Sequence, residues 1–411
     1  MLAKERYYSL DIFRGATVAL MILVNNPGSW SHIYSPFKHA AWHGLTPTDL
    51  VFPFFLFAVG NAIAFVMPRL EAGGDAVFWK KLIRRTLLIF LIGFLLNWWP
   101  FVKWEGDQLA LKTWTWITAD GELRGLRIMG ILQRIALSYL LASVIIYYFK
   151  ARGALLTGIL LLLLYWLLCI LGNPADPYSL SGWFGTNIDR AILSETHMTR
   201  WEVVDGKPFA FEQQSLITMM TSAVNIIAGF LAGDYIRKTN EALPHQEQTS
   251  KTLRVYKILA VLFMAATALM FAGYVWGLIF PVNKKIWTSS YVILTSGMAL
   301  ALLAMLIYQI ELKNRIGRWS RFFDVFGKNP LFIFALSMLL PALLELIRIP
   351  NGIDENGVTQ YLSPLSWFYQ RIRTKVPGAP ENGSLVYAIS LVVFYWAIAY
   401  WMDKKRIYIK V

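Results

Sequence analysis

The chain has 411 residues, of which 56% are hydrophobic, 15% aromatic and only 16% charged. A soluble domain of this length buries far less apolar surface, so the composition excludes a soluble globular protein and predicts a polytopic membrane protein. The net charge of +14 does not indicate a nucleic-acid partner, because the basic residues lie in short loops between apolar runs.

Ten apolar runs of about 17–25 residues, the length that crosses a lipid bilayer, follow one another along the chain. We therefore expect an all-α polytopic membrane protein, with about ten transmembrane helices packed as one bundle and a single domain over residues 1–411. No repeat of 20–50 residues indicates a solenoid or propeller. The runs lie at roughly 10–27, 46–68, 82–100, 127–149, 153–171, 215–234, 257–281, 287–310, 322–345 and 384–402.

The distribution of lysine and arginine predicts the orientation of these spans. By our count, 22 of the 39 lie at the two termini and in the loops after the even-numbered runs, and about 14 lie in the opposite, longer loops. Basic residues favour the cytoplasmic side, so both termini are expected to be cytoplasmic. The N-terminal segment has no signal-peptide cleavage pattern and is interpreted as a mature end. The outward loops are then about 28–45, 101–126, 172–214 and 346–383.

The outward loops are rich in tryptophan, glycine and proline. Aromatic faces pack against sugar rings, so these loops are suited to close over a hydrophilic ligand. A tryptophan belt at the membrane interface is the alternative interpretation. Cys169 is the single cysteine and lies in an apolar run, which excludes an intrachain disulfide and favours neither a zinc site nor thiol catalysis. We expect no metal.

The stretch 38–59 is central to the prediction, because a polar loop with two histidines runs directly into an apolar span. Thr46 or Thr48 is placed to cap a helix that continues to about Pro68. Asp49 then falls in the first turn, where the helix dipole stabilises a carboxylate. We therefore expect His39 and Asp49 to meet at one membrane face. The alternatives are that Asp49 only caps its helix and that His43, the second histidine, is structural.

Polar side chains inside the apolar runs are further candidates, since such groups usually face a cavity or a partner. Arg127 and Arg134 are seven residues apart and share one helical stripe, with Gln133 beside the second. An anion or an acidic residue should neutralise Arg134, and the sequence leaves open whether it binds a ligand or braces the fold. Lys328 and Asn329 precede a proline in the ninth run.

The first run adds three polar residues. Asp11 and Arg14 are three apart on one helical face, a spacing that permits an ion pair. Asn25 is at the outward end of the same run, at about the depth expected for His39. Together the polar groups describe a passage from a basic cytoplasmic side to an outward histidine, which fits both a transporter and a membrane-spanning transferase.

Several motifs in the same order resemble the heparan-alpha-glucosaminide N-acetyltransferase family and its bacterial relatives. The resemblance extends almost from end to end, although this chain has His43 where the lysosomal enzyme differs and lacks that enzyme's extra N-terminal region. The motifs are Ser9-Leu-Asp-Ile-Phe-Arg-Gly15, Val24-Asn25, Phe37-Lys-His39-Ala-Ala-Trp42, Gly44-Leu-Thr46, Asp49-Leu-Val-Phe-Pro53, Gly130-Ile-Leu-Gln-Arg134, Ile188-Asp-Arg190, Pro281-Val-Asn-Lys-Lys-Ile-Trp-Thr-Ser-Ser-Tyr291 and Lys404-Lys-Arg-Ile-Tyr-Ile-Lys-Val411.

The resemblance implies transfer of an acetyl group from cytoplasmic acetyl-CoA, across the membrane, to the amine of an amino sugar outside. It places the catalytic histidine at His39 and an active-site asparagine at Asn25. An imidazole is suited to deprotonate the amine, with Asp49 or Asn25 fixing its orientation. A second route makes His39 a nucleophile that carries the acetyl group. The sequence does not separate the two routes.

The remaining expectations concern the ligands. We expect Trp42, His43 and Asp189 to contact the acceptor sugar on the outward side. Acetyl-CoA is the expected co-substrate, membrane lipid surrounds the protein, a homodimer is left open, and the inner membrane of a bacterium is the expected location. The residues expected to contact CoA are Arg134, Gln133, Arg14, Lys328 and Asn329.

Two other classes of function are compatible with part of this pattern. A secondary transporter of amino sugars such as N-acetylglucosamine would need the same outer vestibule, but no inverted repeat with paired broken helices is evident. A membrane scaffold without chemistry would leave the intramembrane arginines unexplained. Acetyl transfer is therefore the prediction, and the transporter is the alternative.

Overall fold

The computed structural model describes residues 7–118, 121–241, 248–353 and 359–409. These ranges are mostly helical. The helices are α1 (Tyr8–Asn25), α2 (Val51–Ala72), α3 (Gly74–Trp98), α4 (Ile131–Gly172), α5 (Gly185–Leu193), α6 (Met219–Glu241), α7 (Gln248–Gly277), α8 (Ser289–Ile307), α9 (Arg318–Lys328), α10 (Pro330–Leu344), α11 (Pro364–Arg373) and α12 (Pro380–Lys404).

Eight short strands form four separate antiparallel hairpins in the described ranges, all in segments between helices. They are too short to form a core of their own and serve as ordered loops. The pairs are β1 (Val102–Glu105) with β2 (Gln108–Leu111), β3 (Thr115–Ile117) with β4 (Leu123–Gly125), β5 (Glu202–Val204) with β6 (Lys207–Phe209), and β7 (Ile349–Ile353) with β8 (Thr359–Leu362).

Seven helices in the described ranges are long and apolar enough to cross a membrane, namely α1, α2, α4, α6, α7, α8 and α12. The pair α9 and α10, bent by 78° at its junction, adds an eighth crossing if it is one span. The protein is therefore a helical, multi-pass membrane protein, as predicted. Judged by helix length and hydropathy, however, the described ranges contain fewer spans than the predicted count of about ten.

Two helices account for the difference in the count. Every 18-residue stretch of α3 contains Lys81, Arg84 and Arg85, which is more charge than the criterion for a span allows. Helix α4 counts once although it contains two of the predicted runs. At 1.5 Å per residue its 42 residues would extend about 63 Å, roughly twice the thickness of a hydrocarbon core.

Helix α4 folds back on itself at Lys150, whose backbone is not helical (φ 56°, ψ −169°). Ser138, in its first half, is hydrogen-bonded to Ser222 of α6 at 2.7 Å. Gly158, in its second half, packs so that a Cβ atom there would stand 3.5 Å from Val224. In a straight helix these two positions would be about 30 Å apart, yet they contact residues that are two apart on α6. The residues 131–149 and 151–172 therefore form an antiparallel helical hairpin.

The segments between helices gather at two opposite ends of the bundle. We call one the loop end, because the long loops meet there through contacts from Trp42 to Tyr178, Lys285 to Glu202, Tyr34 to Asn382 and Arg348 to Asp107. We call the other the terminal end, because both described chain ends contact loops there, through Ser9 to Glu311, Lys328 to Asp403 and Asn329 to Ile407.

Helix α2 begins with the cap that the sequence predicted. Thr46 and Asp49 form a reciprocal capping box around the 3₁₀ turn Pro47–Leu50, which continues directly into α2. The helix does not end near Pro68, as expected, but continues to Ala72. Pro68 removes one backbone donor, and the remaining backbone hydrogen bonds carry the helix one turn further.

A close helix crossing joins α2 to α6 through glycine. A Cβ atom at Gly60 would overlap the carbonyl oxygen of Ile226, and one at Gly229 would overlap the carbonyl oxygen of Phe57. Small residues on both helices let the backbones approach, which is how membrane helices gain packing energy without a hydrophobic driving force. This crossing fixes the start of α2, and with it Asp49, relative to the loop before α6.

Candidate active site

A cavity of about 170 Å³ lies among α1, α2, the first half of α4 and α10 and reaches the loop end. Its deeper walls are apolar, whereas its mouth carries imidazole, amide, ammonium and guanidinium groups. Such a cavity suits a ligand with an apolar arm and a polar reacting centre. The apolar wall includes Met21, Val24, Val51, Phe52, Phe55, Ile131, Leu132, Ile135, Leu331 and Phe334, and the mouth includes Asn25, His39, Arg127, Trp201, Gln213, Gln214 and Lys284.

His39 is held at this mouth by Asp49. Its Nδ1 atom lies 2.7 Å from Oδ1 of Asp49, which is 1% exposed. The other carboxylate oxygen accepts hydrogen bonds from the backbone N–H groups of Ala40 and Thr46, both at 3.1 Å, and from the Thr46 hydroxyl at 2.9 Å. Asp49 thus closes the loop and orients the imidazole at once. With Nδ1 turned to the carboxylate, Nε2 is the atom left for chemistry.

Lys284 completes a cluster with these two residues, and the sequence analysis did not place it in the site. Its Nζ atom lies 3.0 Å from Nδ1 of His39 and 3.3 Å from Oδ1 of Asp49. Burial lowers the pKa of Lys284 from 10.5 to about 8, although the negative charge of Asp49 opposes that shift. The signal in the sequence was the Lys-Lys pair in the 281–291 motif, but nothing in the spacing connected it with His39.

Arg127, at the same mouth, is bound by Glu212. Its guanidinium makes a two-point contact, from Nη2 to Oε1 at 2.5 Å and from Nε to Oε2 at 3.1 Å, and Glu212 is fully buried. The fork geometry matches both carboxylate oxygens, which makes this one of the stronger kinds of ion pair. Arg127 also lies 5.3 Å from the ring centre of Trp201. Asn25, from the end of α1, faces the same cavity.

Arg134 is 1% exposed and contacts Gln214 and Phe52, which line the cavity. Within the described ranges it has no carboxylate partner within ion-pair distance. It donates from Nη1 to Oε1 of Gln214 at 3.1 Å and from Nη2 to the Thr218 hydroxyl, and its guanidinium stacks 4.3 Å from the ring centre of Trp287. The acidic residue that the sequence offered as one possible partner is therefore not found in these ranges. An aromatic face and two neutral acceptors hold it instead.

The other residues expected to contact CoA lie away from the cavity. Gln133 is buried and donates to the backbone oxygen of Ile128 at 2.9 Å. At the terminal end, Arg14 lies 3.6 Å from Asp11, confirming that ion pair, and Lys328 contacts two carboxylates, Asp324 at 2.7 Å and Asp403 at 3.0 Å.

Asn329 holds the last described segment of the chain in place. Its side chain donates to the backbone oxygen of Ile407 at 2.9 Å and accepts from the backbone N–H of Ile409 at 2.8 Å. The structure therefore gives Asn329 a structural contact and does not bring it together with His39.

The three residues expected to contact the acceptor lie at the loop end but do not line the cavity. His43 is 3.3 Å from the amide nitrogen of Asn283, and burial lowers its pKa. Trp42 donates to the backbone oxygen of Tyr178 at 2.8 Å. Asp189 is fully buried, and burial raises its pKa to about 6 although the backbone N–H of Leu216 donates to it at 3.0 Å.

The fold and the cavity define a multi-pass integral membrane protein with an oriented histidine at a cavity mouth. No family model matches the chain. It is 27% identical to heparan-alpha-glucosaminide N-acetyltransferase from Homo sapiens over 99% of this chain and 60% of that protein. It is 25% identical to the protein of the same name from Mus musculus over 77% of this chain and 50% of that protein. These similarities support membership of the heparan-alpha-glucosaminide N-acetyltransferase family and confirm the resemblance predicted from the motifs. The chain spans between half and two thirds of the length of these relatives.

Proposed function

We propose that the protein is a transmembrane N-acetyltransferase. It moves an acetyl group from cytoplasmic acetyl-CoA to the amine of a glucosamine-type sugar on the outer face of the membrane. The observation that carries this proposal is the contact between His39 and Asp49 at the mouth of a cavity between membrane-spanning helices. The names of the two relatives support the reaction class.

The residues at the mouth have the chemistry that this reaction needs. An amino sugar is largely an ammonium ion near neutral pH and must lose a proton before its nitrogen attacks a thioester. His39 accepts that proton at Nε2 while Asp49, bound to Nδ1, stabilises the imidazolium that forms. In a second version of the mechanism, Nε2 attacks the thioester itself and carries the acetyl group to the amine. Asn25, on the same cavity, orients the reacting groups in either version.

The donor substrate, acetyl-CoA, enters the protein from the terminal end. CoA supplies an activated acetyl thioester at the end of a long flexible arm, and the apolar wall of the cavity suits that arm. The phosphates are drawn to the basic loops of the terminal end, with Arg14, Lys328 and Asn329 nearby and Arg134 and Gln133 deeper in the bundle. Lys328 is already paired with two carboxylates, so its contribution to CoA binding would be weaker than that of an unpaired lysine.

The acceptor sugar binds at the loop end, beside His39. Trp42 offers an aromatic face, and His43 and Asp189 offer polar groups near the loops that surround the mouth. Trp201, one of the outward-loop tryptophans expected to close over a hydrophilic ligand, lines the cavity directly and is added to this set. Gln213, which the sequence did not indicate, lines it as well.

The proposed topology has ten spans, with both termini in the cytoplasm and the loop end outside. The helical hairpin of α4 supplies two crossings, α3 supplies one and the bent pair of α9 and α10 supplies one. The excess of lysine and arginine at the terminal end supports this orientation. The inner membrane of a bacterium is the location that we propose.

Purified protein in detergent, given acetyl-CoA and glucosamine, tests the reaction. The proposal expects free CoA, measured with a thiol reagent, and N-acetylglucosamine, measured by mass spectrometry, in equal amounts. A transporter of amino sugars would produce neither, and that outcome would replace the proposed function by the alternative.

His39→Ala is the decisive variant in the same assay. It should retain less than about a tenth of wild-type turnover, since loss of a general base typically costs on the order of 10²-fold or more. It should still bind acetyl-CoA, because the apolar wall is intact. His43→Ala is the matched comparison and should lose much less. Equal losses in the two variants would mean that the wrong histidine has been assigned.

A further inference from the structure

The side-chain amide of Gln214 has a fixed orientation at the cavity mouth. Arg134 donates to its Oε1 atom at 3.1 Å. An arginine side chain has donors only, so the carbonyl oxygen must be the atom that faces it. The NH₂ group is therefore turned away from Arg134, and Gln214 lines the cavity. This NH₂ group donates to no acceptor in the described ranges.

Several contacts hold the Arg134 side chain in place, and they therefore also fix the orientation of the Gln214 side chain. The Thr218 hydroxyl accepts from its second terminal nitrogen, and Trp287 covers its face at 4.3 Å. Trp287 is fully buried and is fixed in turn by donating to Oδ1 of Asn225 at 3.0 Å. A buried guanidinium on an aromatic face, with no carboxylate partner in the described ranges, thus presents one neutral amide to the cavity.

The NH₂ group of the neighbouring glutamine is bound by a carboxylate. Gln213 also lines the cavity, but it donates from Nε2 to Glu202 at 3.1 Å. A carboxylate oxygen accepts, and Lys285 donates to both oxygens of Glu202, at 2.7 and 2.8 Å. One N–H of Gln213 is therefore committed to Glu202. Of this adjacent pair, Gln214 is the one whose NH₂ group has no acceptor in the described ranges.

We propose that Gln214 donates the hydrogen bond that stabilises the oxyanion of the tetrahedral adduct in acetyl transfer, and that Arg134 positions this NH₂ group rather than binding CoA directly. The inference rests on the proposed function. The amine nitrogen bonds to the thioester carbon, and the electron pair of the C=O π bond moves to oxygen. The C–S bond then breaks, the carbonyl re-forms, and the amine proton passes through His39 to the CoA thiolate.

The cationic side chains at the cavity mouth are already bound to other side chains of the protein. Arg127 is bound at two points by Glu212, and Lys284 lies against His39 and Asp49. A preorganised donor that is free before the reaction gains most from the charge that develops in the transition state. Gln214 meets that condition, and its partner Arg134 strengthens the donor by polarising the amide.

Gln214→Glu tests the donor, because it preserves the shape of the side chain and a contact with Arg134 while removing the NH₂ group. We expect kcat to fall by about 10²–10³-fold, with KM for acetyl-CoA and for glucosamine within a few-fold of wild type. Gln309→Glu is the matched control, since Gln309 also accepts from an arginine, Arg315 at 3.2 Å, but lies at the terminal end. Gln214→Leu gives the same answer without a new charge, should Gln214→Glu fail to fold.

Arg134→Lys and Arg134→Met test the positioning role. Both should lower kcat, Arg134→Lys less, because lysine keeps a donor for Gln214, and KM for acetyl-CoA should change little. A raised KM for acetyl-CoA with unchanged kcat would mean that Arg134 binds the donor substrate directly and would overturn its positioning role.

The outcomes separate this inference from the proposed function. If wild-type protein transfers acetyl groups and His39→Ala does not, but Gln214→Glu and Gln214→Leu keep full kcat, the oxyanion role is wrong and the proposed function stands. A wild-type protein that releases no CoA overturns both.

Discussion

The Nδ1 atom of His39 lies 2.7 Å from Oδ1 of Asp49, within a loop that the same carboxylate closes through Ala40 and Thr46. One buried side chain therefore fixes both the position of the imidazole and the nitrogen that faces the cavity.

Asp49→Asn should lower kcat by about 10²–10⁴-fold while the protein still folds, because an amide can turn its NH₂ to Nδ1 and favour the wrong tautomer of His39. Thr46→Val is the control, since it removes a hydroxyl bond to Asp49 and leaves the imidazole contact in place. Turnover and thermal melting in detergent should be measured on both. If Thr46→Val lowers kcat as much as Asp49→Asn, loop closure rather than the tautomer explains the effect.

Turnover should rise as the pH increases through about 8, the pKa to which burial lowers Lys284. Below that pH the ammonium lies 3.0 Å from Nδ1 of His39 and disfavours a second positive charge on the imidazole. Lys284→Met should flatten this part of the pH profile. The acceptor amine titrates in the same range, so both proteins must be compared on one acceptor. A profile of unchanged shape would exclude this role for Lys284.

Gly60→Ala should destabilise the bundle, because the new methyl group would overlap the carbonyl oxygen of Ile226 and force α2 away from α6. Overpacking of this kind typically costs about 1–3 kcal/mol. Gly158→Ala is the matched control, since its methyl group would meet Val224 at an ordinary 3.5 Å. Melting temperatures in detergent should fall for the first variant only. Equal melting temperatures would mean that the crossing is looser than described.

The orientation in the membrane can be tested with single cysteines in a Cys169→Ala background. Ser181→Cys, at the loop end, should react with an impermeant thiol reagent added to intact cells. Lys405→Cys, at the terminal end, should react only after the membrane is opened. The opposite pattern would invert the topology and place His39 on the cytoplasmic side.

Local features of the fold were predictable from sequence because their causes are local. The capping box joins Thr46 and Asp49, which are three positions apart, and the Asp11–Arg14 pair spans one helical turn. The pairing of Lys328 with Asp324 also follows helical spacing, and it was missed only because Lys328 was interpreted as a ligand contact.

The rest of the site depends on contacts between distant segments. Lys284 approaches His39 across 245 positions, and Gln214 approaches Arg134 across 80. No periodicity connects such residues, because the helix packing that brings them together is set by crossings such as Gly60 with Ile226. For the same reason the sequence predicted that Arg134 needs a partner. It did not predict that an aromatic ring and an amide would be the partners.

Vesicles with the purified protein test the central claim most directly. Acetyl-CoA is supplied only outside and glucosamine only inside, so that molecules whose terminal end faces outward are the active ones. The account predicts that N-acetylglucosamine accumulates inside while free CoA appears outside, and that His39→Ala abolishes both. Product that forms only when both substrates share one compartment would contradict transfer across the membrane, and glucosamine that leaves the vesicles unmodified would favour a transporter.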